Sequence, residues 1–95
     1  MAGRTAIVTG SSKGLGKAMA IALGEAGAKV VVNYCTGKER ALQTQEELAA
    51  RGIESAVCRA DVTSERQVQK LVADTEKKLG KPDILVLNAT PDQPQ

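Results

Sequence analysis

Four short apolar runs alternate with three stretches of helical spacing, and this alternation constrains the chain more than any other feature in it. Thr5-Ala6-Ile7-Val8-Thr9 is a strand-type run ended by Gly10. Leu15, Ala18, Met19, Ala22, Leu23 and Ala26 then recur at i, i+3, i+4, i+7, i+8 and i+11, which predicts one apolar face of a helix stopped at Gly27. Lys29-Val30-Val31-Val32-Asn33 is a continuous β-branched run, as expected of a strand covered on both faces. Thr36 followed by Glu39 fits a capping box that opens a helix carrying Ala41, Leu42, Leu48 and Ala49 and ending before Gly52. Ile53 to Ala60 reads as a third strand, and Ser64 with Gln67 caps a third helix. Its Val68, Leu71, Val72, Thr75 and Leu79 keep helical spacing as far as Gly80. Lys81-Pro82 turns the chain into a fourth strand over Ile84-Leu85-Val86-Leu87.

The order β-α-β-α-β-α-β argues for an α/β fold, a parallel sheet with helices packed on it. At 95 residues there is room for one domain. Residues 1–89 form that unit, and 90–95 are expected to be a loose tail without a packing residue. Right-handed crossovers carry strands one to three outward in one direction, with the first two helices on one face. If strand four returns beside strand one, the order is 3-2-1-4 and the third helix lies on the opposite face. The reversal opens a crevice at the carboxyl end of strand one, the usual ligand position in open α/β sheets.

Composition removes several classes of function. The core must be aliphatic, because nine Val, eight Leu and four Ile stand against one aromatic residue, Tyr34. A single aromatic gives no platform for stacking bases, and 13 basic against 11 acidic residues leave no basic stripe for a nucleic acid. With no His, His-based triads are excluded and zinc sites lose their commonest ligand. No apolar run reaches the ~18 residues of a membrane span. Cys35 and Cys58, alone and 23 positions apart, read as small apolar thiols in a reducing cytoplasm. Neither has a neighbouring His to make a reactive thiolate. No metal site and no catalytic group is assigned within the chain.

The chemistry concentrates where strand one meets helix one, at Thr9-Gly10-Ser11-Ser12-Lys13-Gly14-Leu15-Gly16. Glycines in such a loop let backbone N–H groups and a helix N-terminus approach a phosphate closely. The spacing is not that of a P-loop: five residues separate Gly10 from Gly16-Lys17, and Ala18 stands where a magnesium-binding hydroxyl belongs. Nor is it G-x-G-x-x-G, because Gly14-x-Gly16 is followed by Met19 at the third position. What remains is T-G-x-x-x-G-x-G.

With that loop the sequence resembles the short-chain dehydrogenase/reductase family, and from Thr5 to Tyr34 especially its 3-oxoacyl-acyl-carrier-protein reductase branch. The resemblance implies a Rossmann-like fold that binds a nicotinamide dinucleotide and lacks, in these 95 residues, the second half of the family fold. It implies that Gly10, Ser12, Lys13, Gly14, Leu15 and Gly16 meet the cofactor, that Asp61-Val62 reads the adenine, and that Asn88-Ala89 matches the family's N-A-G segment. Leu87 stands where the family often has Asn, and Thr90 where it has Gly. The family's catalytic Ser and Tyr-x-x-x-Lys fall beyond residue 95. Tyr34-Cys35-Thr36-Gly37-Lys38 repeats the spacing but straddles a strand end and a helix start, so its two side chains would not share a helical face.

A site that prefers NAD usually ends strand two with a carboxylate for the ribose 2′-OH. Here that stretch is Asn33, Tyr34, Cys35 and Thr36, with no acid before Glu39, which predicts NADP(H) in preference to NAD(H). Lys13 is the expected cation for the 2′-phosphate, with Lys38 and Arg40 as further cations. Asn33, Tyr34, Cys35 and Thr36 are expected to bind the cofactor there, the Asn and Thr side chains and backbone N–H groups holding the phosphate. The expected function is the NADP(H)-binding part of an oxidoreductase; the alternative is a stand-alone nucleotide-binding module without catalysis. No substrate is read from these residues, and no nucleic acid or membrane partner is expected. An uncharged fourth strand at a sheet edge predicts self-association or a homo-oligomer.

Overall fold

Each β-branched run becomes a strand and each periodic stretch a helix in the computed structural model, which describes residues 3–10 and 14–86. The elements are β1 (Thr5–Val8), α1 (Gly14–Glu25), β2 (Lys29–Tyr34), α2 (Lys38–Ala50), β3 (Ser55–Arg59), α3 (Glu65–Lys78) and β4 (Ile84–Val86). All strand pairs are parallel and the order is β3-β2-β1-β4, with Val8 in register with Val32 on one side and Val86 on the other. The expected reversal is therefore present, with β1 at the point where the strand order turns back. The expected tail, 90–95, and Leu87 lie outside the described residues.

Side chains of a strand alternate between faces, and the two resulting clusters show what covers each. Val8, Val30, Val32 and Tyr34 pack with Ala20 of α1 and with Ala41 and Leu48 of α2. Ile7, Val31, Ala56 and Cys58 pack with Leu71 of α3 and with Leu79. Two helices thus cover one face and one covers the other, as right-handed crossovers require. α3 leaves β4 uncovered on its own side, where Leu85 remains 49% exposed.

Helix faces depart from the expected ones in an instructive way. On α1 the buried residues are Gly16, Ala20 and Gly24, not Ala18 and Ala22, and Leu15 is 69% exposed. The helix turns its smallest residues to the sheet so that its backbone can sit close, while Met19, Ile21 and Leu23 pack from the flanks. A Cβ on Gly24 would lie 2.6 Å from Ile53 Cγ2 and 2.7 Å from its Cδ1. On α2 the buried set is Ala41, Thr44 and Leu48, with Leu42 and Ala49 turned outward. The capping box expected from Thr36 and Glu39 is absent. The N-cap is Gly37, left-handed at φ 86°, and no side chain caps the helix. A positive φ at that position turns the chain out of β2 and leaves Thr36 one residue too early to cap.

α3 starts as expected: the Gln67 N–H donates to Ser64 Oγ at 3.3 Å. Its buried Leu71, Thr75 and following Leu79 match the predicted spacing.

The tight contact under Gly24 has a measurable consequence. Gly24→Ala should lower stability by about 1–3 kcal/mol through overpacking, despite the helix propensity gained. In an Ile53→Ala background the same substitution should become neutral or stabilising, and a double-mutant cycle in urea reads the sign change.

Candidate functional site

Because every strand runs the same way, the segments after β1, β2 and β3 emerge at one rim of the sheet. The glycine loop follows β1, residues 35–37 follow β2, and Ala60 to Ser64 follow β3. This is the rim at which the strand order predicts a crevice.

Thr9 anchors the first of these segments. Its N–H and its Oγ1 both donate to the Val86 carbonyl, at 3.0 and 3.2 Å, closing the end of β1 against β4. Gly10 follows at φ 62°, and its N–H donates to Asn33 Oδ1 at 3.1 Å. Gly14 opens α1, also at φ 62°, and among the described residues no atom lies within 4 Å of a Cβ built there. An L side chain is disfavoured at that φ. α1 has no acidic residue in its first turn, so nothing there opposes an anion at the positive end of the helix. Lys17, one turn in, is held by an ion pair to Glu47 of α2.

Asn33 is 2% exposed, with its amide between three backbone groups. Its Oδ1 accepts from Gly10, and its Nδ2 donates to the carbonyls of Cys58 at 3.4 Å and Ala60 at 3.3 Å. The sequence points to this residue as a ligand of the 2′-phosphate; in the structure its amide hydrogens are directed at carbonyls instead. Tyr34, from the same stretch, turns to the other face and packs in the α1–α2 core, 8% exposed. The ring that was expected at the site is thus mostly core. Cys35 is half-buried and Thr36 exposed at the rim, with Lys38 and Arg40 exposed in the first turn of α2. Tyr34 and Lys38 stand on different elements, as their spacing across a strand end predicted.

Asp61, after β3, is shaped by its own turn. Its Oδ1 accepts from the Thr63 N–H at 2.9 Å and from Thr63 Oγ1 at 2.6 Å, and its N–H donates to Gln67 Oε1 at 2.7 Å. Among the described residues no donor reaches Oδ2, so this oxygen remains an acceptor at the rim. The two hydrogen bonds from Thr63, aided by Arg59, hold the carboxyl below its ordinary range. Val62 beside it is half-buried. Burial pushes the Cys58 thiol up, against the opposing charge of Lys78, which suits a packing role.

Ser12, Lys13, Asn88 and Ala89 lie outside the described residues. Gly10, Gly14, Gly16, Asn33, Thr36, Asp61 and Val62 are brought to the rim, and Leu15 follows Gly14 as an exposed residue. What sequence reasoning missed is the role of two amides, Asn33 and Gln67, in fastening the rim. A polar residue at an inward position of an apolar strand was the available signal for the first. Among the described residues no cluster of three metal-ligating side chains occurs, and no helix is long and apolar enough to cross a membrane.

Comparison with known proteins places this geometry. The model of the short chain dehydrogenase family matches residues 4–95. The chain is similar to versicolorin reductase 1 of Aspergillus parasiticus, 44% identical over 87 residues that are 92% of this chain and 33% of that protein. It is 37% identical to a 3-oxoacyl-acyl-carrier-protein reductase of Staphylococcus epidermidis, over 90% of this chain and 35% of that one. A hydroxysteroid dehydrogenase from Escherichia coli superposes with a TM-score of 0.89 at 39% identity, covering 99% of this chain and 40% of its own. A 7α-hydroxysteroid dehydrogenase complexed with NADH gives 0.83 at 39% identity, over 88% of this chain and 32% of that one. The chain spans about a third of the length of the curated relatives it matches.

The Asp61 turn yields a titration that can be measured. Its folded pKa lies below the unfolded value, so the turn is strengthened above the ordinary carboxylate range and loosens as pH falls through the folded pKa. An NMR titration should place the Asp61 midpoint below that of an ordinary Asp, and Thr63→Ala should raise it toward the ordinary value.

Proposed function

Since the chain belongs to the short-chain dehydrogenase family, we propose that it is the NADP(H)-binding portion of an oxidoreductase that moves a hydride between the nicotinamide and a carbonyl or alcohol substrate. The observation that carries this reading is a glycine-rich connection at the point where the strand order reverses, with Gly10 and Gly14 both at φ 62° and no described atom within 4 Å of a Cβ built on Gly14. The residues present fit a dinucleotide. The first N–H groups of α1 lack intrahelical acceptors and suit a pyrophosphate. Asp61 Oδ2 suits the adenine amine, and Val62 packs beside it. When bound, the nicotinamide supplies or takes up the hydride. The proton-transfer groups are assigned to the part of the family fold outside this chain.

For the 2′-phosphate, no carboxylate stands between Asn33 and Thr36 to repel it. Lys13 is its proposed cation, with Thr36, Lys38 and the backbone from Cys35 around it. Asn88 and Ala89 are assigned to the nicotinamide side by resemblance alone. The protein is proposed to work in the cytoplasm. The face at Leu85 is proposed to associate with a second copy when this chain is alone, because β4 is an edge strand with a large apolar side chain half exposed.

Titration with both cofactors tests the reading. NADP(H) should bind more tightly than NAD(H), and Lys13→Ala should weaken NADP(H) by ~1–3 kcal/mol, the scale of a charge-assisted hydrogen bond. NAD(H) should be nearly unaffected; equal losses would assign Lys13 to the shared pyrophosphate. A full-length protein that binds NADP(H) without turnover of any carbonyl or alcohol would be a binding module instead. Light scattering tests the edge: the 95-residue chain should self-associate, and Leu85→Lys should shift it toward monomer.

A further inference from the structure

The Ala60 carbonyl and the Asp61 N–H belong to one peptide group, and a different side-chain amide holds each end of it. Asn33 Nδ2 donates to the carbonyl at 3.3 Å, and Gln67 Oε1 accepts from the N–H at 2.7 Å. Asn33 comes from β2 and Gln67 from the first turn of α3, so the peptide is gripped from two elements. The same Asn33 amide reaches Gly10 through Oδ1 and the Cys58 carbonyl through Nδ2. One side chain therefore spans the glycine loop and the segment that carries Asp61 and Val62.

Only an amide satisfies this set. Among the described residues Asn33 faces one donor and two acceptors; Asp would set a charge against two carbonyl oxygens, and Leu would remove all three of these hydrogen bonds. Gln67 has the reach to accept from Asp61 while its own N–H is taken by Ser64 Oγ, so helix capping and loop orientation are tied together. Nothing in these contacts involves a cofactor, yet both loops they join are those assigned to it.

We propose that Asn33 and Gln67 are positioning residues that clamp the Ala60–Asp61 peptide and set the spacing between the pyrophosphate and adenine subsites. This rests on the dinucleotide reading. A ligand that touches both subsites depends on the clamp, whereas one that touches only the glycine loop does not depend on Gln67. The clamp also fixes the direction of the Asp61 carboxylate, because the Thr63 turn is built on the same residue.

The test uses the full-length protein well below its melting temperature, with ADP spanning both subsites and inorganic pyrophosphate reaching only the first. Gln67→Leu should weaken ADP and NADP(H) at least tenfold, leave pyrophosphate within about twofold, and speed amide hydrogen exchange at Asp61. Gln67→Glu, which keeps the acceptor, should recover most of the ADP affinity and the slow exchange. Asn33→Asp should weaken both ADP and pyrophosphate, because it also disturbs Gly10. Gln67 lies at the half-buried start of α3, so its variants report even if Asn33→Asp does not fold. Wild-type affinity for ADP in Gln67→Leu, equal losses in the Leu and Glu variants, or unchanged exchange at Asp61 would overturn the clamp. Wild-type protein that binds neither ADP nor NADP(H) would overturn the dinucleotide reading itself.

Discussion

After β3 the chain turns back, crosses over β2 and lays β4 on the far side of β1, and the rest of the structure follows from that return. β1 gains a partner on each side, so its backbone is paired along both edges and its side chains are covered from both faces. Right-handed crossovers then place α1 and α2 on one face and α3 on the other. The strand order turns back at β1, and the gap at its carboxyl end is the usual ligand position in open α/β sheets. Thr9 closes the floor of that gap by donating twice to Val86.

Close approach is what makes such a thin aliphatic core sufficient. With one aromatic residue in the chain, no large ring spans the distance between layers. The layers move together instead: Gly16, Ala20 and Gly24 line the buried side of α1, and Ile53 fills the space that a Cβ on Gly24 would take. Among the described residues the buried side-chain polar groups are partnered, as with Thr75 Oγ1, which donates to the Leu71 carbonyl at 2.8 Å. The uncovered side of β4 is the exception to this economy, and it is where Leu85 stands half in water.

At the rim the fastening groups are neutral amides. A neutral amide satisfies buried carbonyls and N–H groups at once and brings no charge that must be desolvated. Asn33 can therefore sit 2% exposed among Gly10, Cys58 and Ala60, where a carboxylate or an ammonium could not. Charge is kept for positions that water reaches: Asp61 at the turn, and Lys38 and Arg40 at the start of α2. For the proposed dinucleotide, a hydrogen-bonded neutral frame carrying a few exposed charges leaves less to be ordered on binding.

The element order, the parallel sheet, the glycine loop and the Ser64 cap were legible in the sequence because each depends on local pattern: period, β-branching, and residues that tolerate one backbone conformation. The family was legible for the same reason, since its loop is a contiguous spacing from Thr9 to Gly16. What local pattern does not carry is which of two chemically similar neighbours turns inward. Ala18 and Ala20 are alike in propensity, and the choice of Ala20 came from how closely α1 lies on β1 and β2. Gly37 displaced Thr36 as the cap because the turn out of β2 needs a positive φ. Asn33 and Tyr34 both read as site residues at the end of a strand, yet the pleat sends one toward the β3 carbonyls and the other into the core. That separation exists only once β3 is paired with β2, because the groups that hold Asn33 are contributed by residues 25 and 27 positions away.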